Sequence, residues 1–360
     1  MESNQRYFPP KKFIEQYNQI QRAPKLEVIG YSVKHRPIYA VTIGGGGKKI
    51  LVWSQMHGNE TTTTRALLSL VRHLLEPQMI AAYDKFCIKI IFQLNPDGSQ
   101  RYTRVNANDV DLNRDAFSQT QPETKVLMRS FKSFAPNFCL NLHGQRTIYA
   151  AGNTAIPAAL SFLAPSADDN RSITPARETA MQLIAAIASA HTQNNQWGIG
   201  RYDDAFNINC TGDYFTSTAT PTLLFEAGHY PSDYHRNTTE KLILKSLIIT
   251  IENIVNQDYT SKTAKNYFQI PENQKTLCDV EFTNVTIVNN SKITKSSIFV
   301  QYKEILEGGI IRFIPQILEE STCFKGLRKI DLDEKTKKNP IIVSESLVKT
   351  IEQLKSLADF

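Results

Sequence analysis

Four apolar stretches of this chain each run into a polar residue that can carry chemistry. Ile50-Leu51-Val52-Trp53 leads to His57-Gly58-Asn59-Glu60, and Ile88 to Leu94 leads to Asn95-Pro96-Asp97-Gly98. Phe138 to Leu142 leads to His143, and Thr222 to Phe225 leads to Glu226. Short runs of this kind, bounded by turn residues, read as buried strands. Leu26 to Gly30 and Ile38 to Ile43 read as two more strands, with the polar turn Ser32 to Pro37 between them. Elsewhere the period changes. Lys12 to Arg22 reads as a short helix. Thr61 to Leu75 places Ala66, Leu67, Leu70, Val71 and Leu74 on one helical face, and Pro77 ends it. Thr174 to His191 opens with a natural N-cap and a proline at the first helical position. Asp233 to Asn256 turns Leu242, Ile243, Leu247, Ile251 and Ile254 inward. Strands alternating with helices predict an α/β fold with a mixed, largely parallel central sheet covered by helices on both faces. Sites in such sheets gather beyond the carboxyl ends of the strands. His57, Glu60, Asp97, His143 and Glu226 all fall there.

After Asn256 the pattern changes. Asp258 to Asn266 is polar and linker-like, and Val280 to Val288, Ser297 to Leu306 and Ile310 to Ile314 read as strands. Glu307-Gly308-Gly309 reads as a hairpin turn, and Ser344 to Leu357 as a closing helix. The expected division is a domain over 1–257 and a small β-rich C-terminal region over 265–360 that carries no catalytic constellation. Gly44 to Lys49 imitates a phosphate-binding loop. Such a loop opens a helix through Gly-Lys-Ser/Thr, whereas a β-run follows here, so the segment reads as a flexible hairpin turn.

Composition narrows the function classes. A hydrophobic share of 41% supports a sizeable core. The net charge of +6 is spread along the chain, and its densest cluster, Lys335-Thr336-Lys337-Lys338, lies beside Asp331, Asp333 and Glu334 in what reads as a polar loop. Nucleic-acid binding is therefore not expected. Cys87, Cys139, Cys210, Cys278 and Cys323 form no C-x-x-C pair and read as reduced, mostly structural thiols. The N-terminal segment has no apolar signal core, and no run is long enough to span a membrane. A cytoplasmic protein without a membrane partner is expected.

The strand-end residues suggest one metal site. His57 and Glu60 stand three residues apart and can hold one zinc ion from a single turn of chain. The stretch Asn95 to Asp115, NPDGSQRYTRVNANDVDLNRD, makes the pattern specific. The chain resembles the zinc carboxypeptidase family of the carboxypeptidase A type. That family pairs H-x-x-E with N-P-D-G, then D-L-N-R, then a His on a later strand and a Glu on a still later one. All five features stand here in that order. Arg104 lies nine residues before Asn113, as in members with a short spacer. Thr103-Arg104-Val105-Asn106-Ala107 resembles bacterial murein peptide amidases and, more distantly, the cytosolic carboxypeptidases. The resemblance spans residues 25 to 256.

The resemblance implies that His57, Glu60 and His143 bind one Zn2+. Three N/O ligands leave a fourth position open, as in a catalytic rather than a structural site. It implies that Asp97 orients a ligand imidazole by accepting its other N–H, although an Asx turn with Gly98 also explains that residue. Glu226 becomes the general base, Arg104 the stabiliser of the developing oxyanion, and Asn113 with Arg114 the holder of the substrate carboxylate. Tyr202 falls close to a substrate-capping tyrosine, with Tyr214 as a competitor. Asp213 falls near the specificity pocket, where a carboxylate would favour a cationic side chain. His229 is read either as lining the cleft or as shaping a loop. His35, His73, His191 and His235 are read as exposed or satisfied.

Three departures from the family pattern sit at substrate-recognition positions: Asp115-Ala116 after Asn113-Arg114, Gly144-Gln145 after His143, and Asn59 where extracellular members carry Arg. The implied activity is a zinc-dependent metallocarboxypeptidase acting on a peptide, or peptide-like substrate, with a free carboxylate. Cell-wall-derived peptides are one substrate class. The rivals are an acylamino-acid deacylase of the succinylglutamate desuccinylase or aspartoacylase type, and a zinc-free peptide-binding pseudo-enzyme. Oligomeric state, side-chain preference and the role of residues 265–360 are not encoded in these motifs.

Overall fold

A computed structural model describes residues 2–3, 5–192, 196–289, 292–318, 324–338, 341–342 and 347–357. An eight-stranded sheet forms its centre. The strands run in the order Glu27–Tyr31, Pro37–Gly44, Phe86–Ile91, Lys48–Ser54, Phe138–Gly144, Thr222–Ala227, Ala158–Leu163 and Gly198–Arg201. The four strands from Phe86–Ile91 to Thr222–Ala227 are mutually parallel. Antiparallel pairs flank them.

Alternation along the strands feeds a core on each face. Ile50 and Val52 pack on one side, with the helices Thr62–Leu74, Pro175–Ala190 and Asn237–Asn256. Leu51 and Trp53 pack on the other, with Val126 and Leu127 of the helix Pro122–Phe134 and with Phe215. The expected mixed sheet with helices on both faces is thus present. The Thr174 cap is also present, its side chain accepting from the Arg177 N–H at 3.3 Å.

The glycine run is not a hairpin. Pro37–Gly44 and Lys48–Ser54 do not pair with each other; both flank Phe86–Ile91. The turn crosses the end of that strand, where Gly45 and Lys48 donate to the carbonyls of Tyr83 and Lys85 at 3.0 Å. Gly47 has φ +56°, and a Cβ there would lie 1.8 Å from the Lys85 carbonyl oxygen. The crossing therefore needs glycine.

A second sheet is built mainly from Leu277–Asn289, Lys292–Glu307, Ile310–Ile317 and Lys325–Asp331. Gly308 and Gly309 close its hairpin with positive φ, as expected. The first residues of the chain join it, Glu2 and Ser3 pairing with Arg312 and Ile311. The lysine cluster at 335–338 is helical, not a loop: Asp333–Lys338 is a short helix in which Asp333 pairs with Lys337 at 2.8 Å. The closing helix is Leu347–Leu357, and the start proposed for it at Ser344 lies outside the described residues, as does Cys323. Cys87, Cys139, Cys210 and Cys278 are free thiols. Among the described residues, no helix is long and apolar enough to cross a membrane.

Candidate metal centre and active-site cleft

The sheet order explains why three distant segments meet. Glu226 and His143 are register partners on adjacent parallel strands. Lys48–Ser54 pairs with the other edge of the His143 strand, and the chain leaves it through Gln55 towards His57. Gln55 fixes this exit by donating to the Gly58 carbonyl at 2.8 Å and to Ser99 Oγ at 2.9 Å. A Cβ on Gly58 would lie 1.9 Å from the Gly98 carbonyl carbon, so the two turns can pack only with glycine there. Glu60 N–H then donates to the His57 carbonyl at 3.1 Å, which closes the turn and brings both side chains to one side.

His57, Glu60 and His143 converge, with ligand atoms within 4.8 Å of one another. His57 Nδ1 is 2.8 Å from Glu60 Oε1, and His143 Nδ1 is 2.9 Å from Glu60 Oε2. The two Nδ1 atoms face each other at 3.1 Å. His57 Nε2 lies 2.9 Å from Asp111 Oδ1, which makes Nε2 the protonated nitrogen of a neutral ring. Its Nδ1 lone pair then points at a carboxylate and at a second imidazole nitrogen. Such a set of acceptors is held together by a cation, so the residues fit a metal ion with Nδ1 of both histidines and the Glu60 carboxylate as donors.

Electrostatics sets the two histidines apart. Burial works against charge on His57, but Glu60 and Asp111 outweigh it and raise its pKa. Burial also opposes ionisation of Glu60, yet His57 and His143 hold its carboxyl far below the usual range. His143 moves the other way: burial dominates and lowers its pKa despite Glu60, leaving it neutral and able to ligate.

Asp97 does not serve these imidazoles. Its carboxylate accepts from the Lys34 N–H at 3.0 Å and from the Arg36 guanidinium. The strand before it lies beside Pro37–Gly44, whose preceding turn carries both donors, and away from His143. Asp111, the first residue of the D-L-N-R motif, is the acid on His57. It also caps the turn Leu112–Arg114 by accepting from the Asn113 N–H at 2.9 Å, and it accepts from Arg104 Nε at 3.0 Å. The motif is visible in the sequence, but the role of its Asp emerges only with the fold.

A cleft of about 470 Å³ opens over the centre and includes Glu226, Arg104, Asn113, Arg114, Tyr202 and Asp213 in its walls. Glu226 is partly buried, and its buried Oε2 has no hydrogen-bond partner. Burial, reinforced by the Glu60 charge, pushes its pKa well above the usual range, and Arg104 only partly offsets this. Arg104 is half-exposed, with Nη1 3.6 Å from Glu60 Oε1. Asn113 Oδ1 accepts from the Thr211 N–H at 2.9 Å, which turns its amide nitrogen free of that bond. Arg114 is exposed and touches Cys210 Sγ at 3.2 Å.

Tyr202 packs on Tyr149 with ring centroids 5.5 Å apart and donates its hydroxyl to Gln145 Oε1. Tyr214 instead packs on Phe215, among the hydrophobic cluster on the far face. Burial raises the Asp213 pKa to about 7. Of the departures, Asp115 is structural: it accepts from Thr120 and Gln121 and fixes the following loop. Asn59 and Gln145 do line the cleft. His229 is not on the cleft wall; it is buried with its ring 5.3 Å from that of Tyr234.

The comparisons with known proteins agree with this geometry. The family model for zinc carboxypeptidases matches residues 10–228, more than half of the chain. The protein belongs to the zinc carboxypeptidase family. Human carboxypeptidase D is 30% identical over 162 residues, a match covering 37% of this chain and 12% of that protein. The chain thus spans a small part of the length of that relative. The fold is shared with a metallo-carboxypeptidase from Burkholderia cenocepacia (TM-score 0.53, 16% identity, 69% of this chain and 71% of that one). It is also shared with carboxypeptidase A from Helicoverpa armigera (TM-score 0.52, 16% identity, 71% and 75%).

Proposed function

We propose that the protein is a zinc-dependent carboxypeptidase that releases the C-terminal residue of a peptide, or cleaves one amide bond near a free carboxylate. The observation that carries this reading is the buried, unpartnered Oε2 of Glu226 set beside a His-Glu-His trio with converging donor atoms. His57, Glu60 and His143 would hold the ion, with Asp111 fixing the His57 tautomer. When bound, zinc supplies Lewis-acid polarisation of the scissile carbonyl and of an attacking water.

The remaining steps belong to the chain's own side chains. Glu226 takes a proton from the attacking water and returns it to the leaving amine, which its raised proton affinity suits. Arg104, half-exposed over Asp111, donates to the carbonyl oxygen as negative charge develops there. Asn113 and Arg114 receive the terminal carboxylate, the guanidinium contributing a planar fork. Tyr202 covers the bound residue from the position in which Gln145 holds it.

The substrate class we favour is a peptide with a free carboxylate, cell-wall-derived peptides included. The cysteine usage supports a cytoplasmic site of action. The deacylase reading predicts cleavage of small N-acyl amino acids, and the binding-module reading predicts no cleavage at all.

A C-terminal trimming assay on a peptide library, with wild type and Glu226→Gln, tests the proposal. Wild type should shorten peptides by one residue and the variant should not. Cleavage confined to N-acyl amino acids would favour the deacylase, and equal trimming by both proteins would remove Glu226 from the reaction.

A further inference from the structure

The cleft shares a wall with another cavity. Arg146 and Thr147, which form part of that wall, also line this second cavity of about 510 Å³. The other walls include Leu277, Ile317, Leu318 and Phe324, with the exposed Lys275 at the edge. These residues belong to the second sheet and its flanks, beyond the span 10–228 matched by the family.

The partition between the two cavities is held firmly. Arg146 Nε donates to the Tyr302 carbonyl at 3.0 Å, and Nη2 donates to Asp279 Oδ2 at 2.6 Å. Asp279 is buried and also accepts from the Tyr302 N–H and the Tyr234 hydroxyl, both at 2.7 Å. The C-terminal sheet therefore fixes the segment that follows the metal-ligand candidate His143.

We propose that this second cavity receives the substrate residues upstream of the scissile bond and selects apolar side chains there. The proposal rests on the carboxypeptidase reading. With the terminal carboxylate at Asn113 and Arg114 and the reacting amide between His143 and Glu226, the rest of the peptide must leave the cleft elsewhere. The segment Gly144 to Thr147 runs along the cleft wall from His143, and its last two residues also line the second cavity. An extended chain advances roughly 3.3 Å per residue, so a few residues carry it across a shared wall. Leu277, Ile317, Leu318 and Phe324 offer it apolar surface, which rewards leucine or phenylalanine over glycine or serine.

A length and composition series tests this. The probes are an N-blocked dipeptide and two hexapeptides with the same last two residues, one with Leu and Phe upstream and one with Gly and Ser. The full-length wild type should show kcat/KM higher for the apolar hexapeptide by about tenfold or more. Leu318→Ser and Phe324→Ser should each erase most of that gain and leave dipeptide kinetics unchanged, which also reports intact folding. Equal rates for the two hexapeptides, or a gain that survives both substitutions, would overturn the proposal. If no peptide is cleaved, the carboxypeptidase reading fails on its own. Calorimetric binding of the two hexapeptides to wild type and Leu318→Ser still decides the groove: an apolar preference that the substitution removes supports it, and no preference refutes it.

Discussion

Glu60 and Glu226 face one cleft, and their surroundings drive them to opposite states. Around Glu60 every oxygen has a partner: His57 Nδ1 at 2.8 Å, His143 Nδ1 at 2.9 Å and the Gly144 N–H at 3.1 Å. Around Glu226 one oxygen has none. Burial alone would raise both pKa values. The two imidazoles reverse it for Glu60, whereas the Glu60 charge adds to it for Glu226. Two carboxyls of one type are thereby set apart in the way the proposed function requires, one as an anionic ligand and one as a proton carrier.

The contrast can be broken from either side. The largest effect should follow from Glu60→Ala or His143→Ala. Either variant should lose bound zinc by metal analysis and fall to background cleavage. Glu226→Gln should lower kcat by about 10² to 10⁴-fold while zinc content stays at the wild-type level. If zinc is lost with it, Glu226 belongs to the ligand set and the contrast collapses.

Asp111→Asn should cost about 10- to 100-fold in metal affinity or activity. Asp97→Asn, which removes an acid bonded to Arg36 and Lys34 instead, should leave zinc affinity at the wild-type value by competitive chelator titration.

The smallest effect concerns Asp213. Its folded pKa of about 7 lies above its ordinary value, so between the two the folded state binds more protons than the unfolded state. Stability is then fully retained below the unfolded pKa and lost as pH rises through about 7. Thermal midpoints of wild type should fall from pH 5 to pH 8 more than those of Asp213→Asn.

The comparison also shows what the sequence encodes locally. His57, Glu60, His143 and Glu226 were legible because each follows an apolar run at a strand end, and the sheet gathers such ends by construction. Asp97 follows the same rule and yet turns elsewhere. Its strand lies on the opposite side of Lys48–Ser54 from the His143 strand, a matter of strand order that no local pattern carries. Asp111 follows no strand. It sits on a loop shaped locally by Arg104 and its own turn cap, and meets His57 from 54 positions away, a contact that only the fold makes. The helix Pro122–Phe134 carries its own signals, Pro122 at its start and Val126, Leu127 and Ser130 on its buried face, but the strand-end pattern does not point to it. The Arg146–Asp279 pair joins residues 133 positions apart, so the bond between cleft and C-terminal sheet emerged only with the fold.

Anomalous diffraction at the zinc edge, from crystals grown with zinc, tests the metal centre most directly. The expected result is one peak per chain, about 2.0–2.2 Å from Nδ1 of His57, Nδ1 of His143 and the Glu60 carboxylate. A zinc-free cleft, or a peak on other side chains, would contradict the assignment of this trio and with it the hydrolytic role of Glu226.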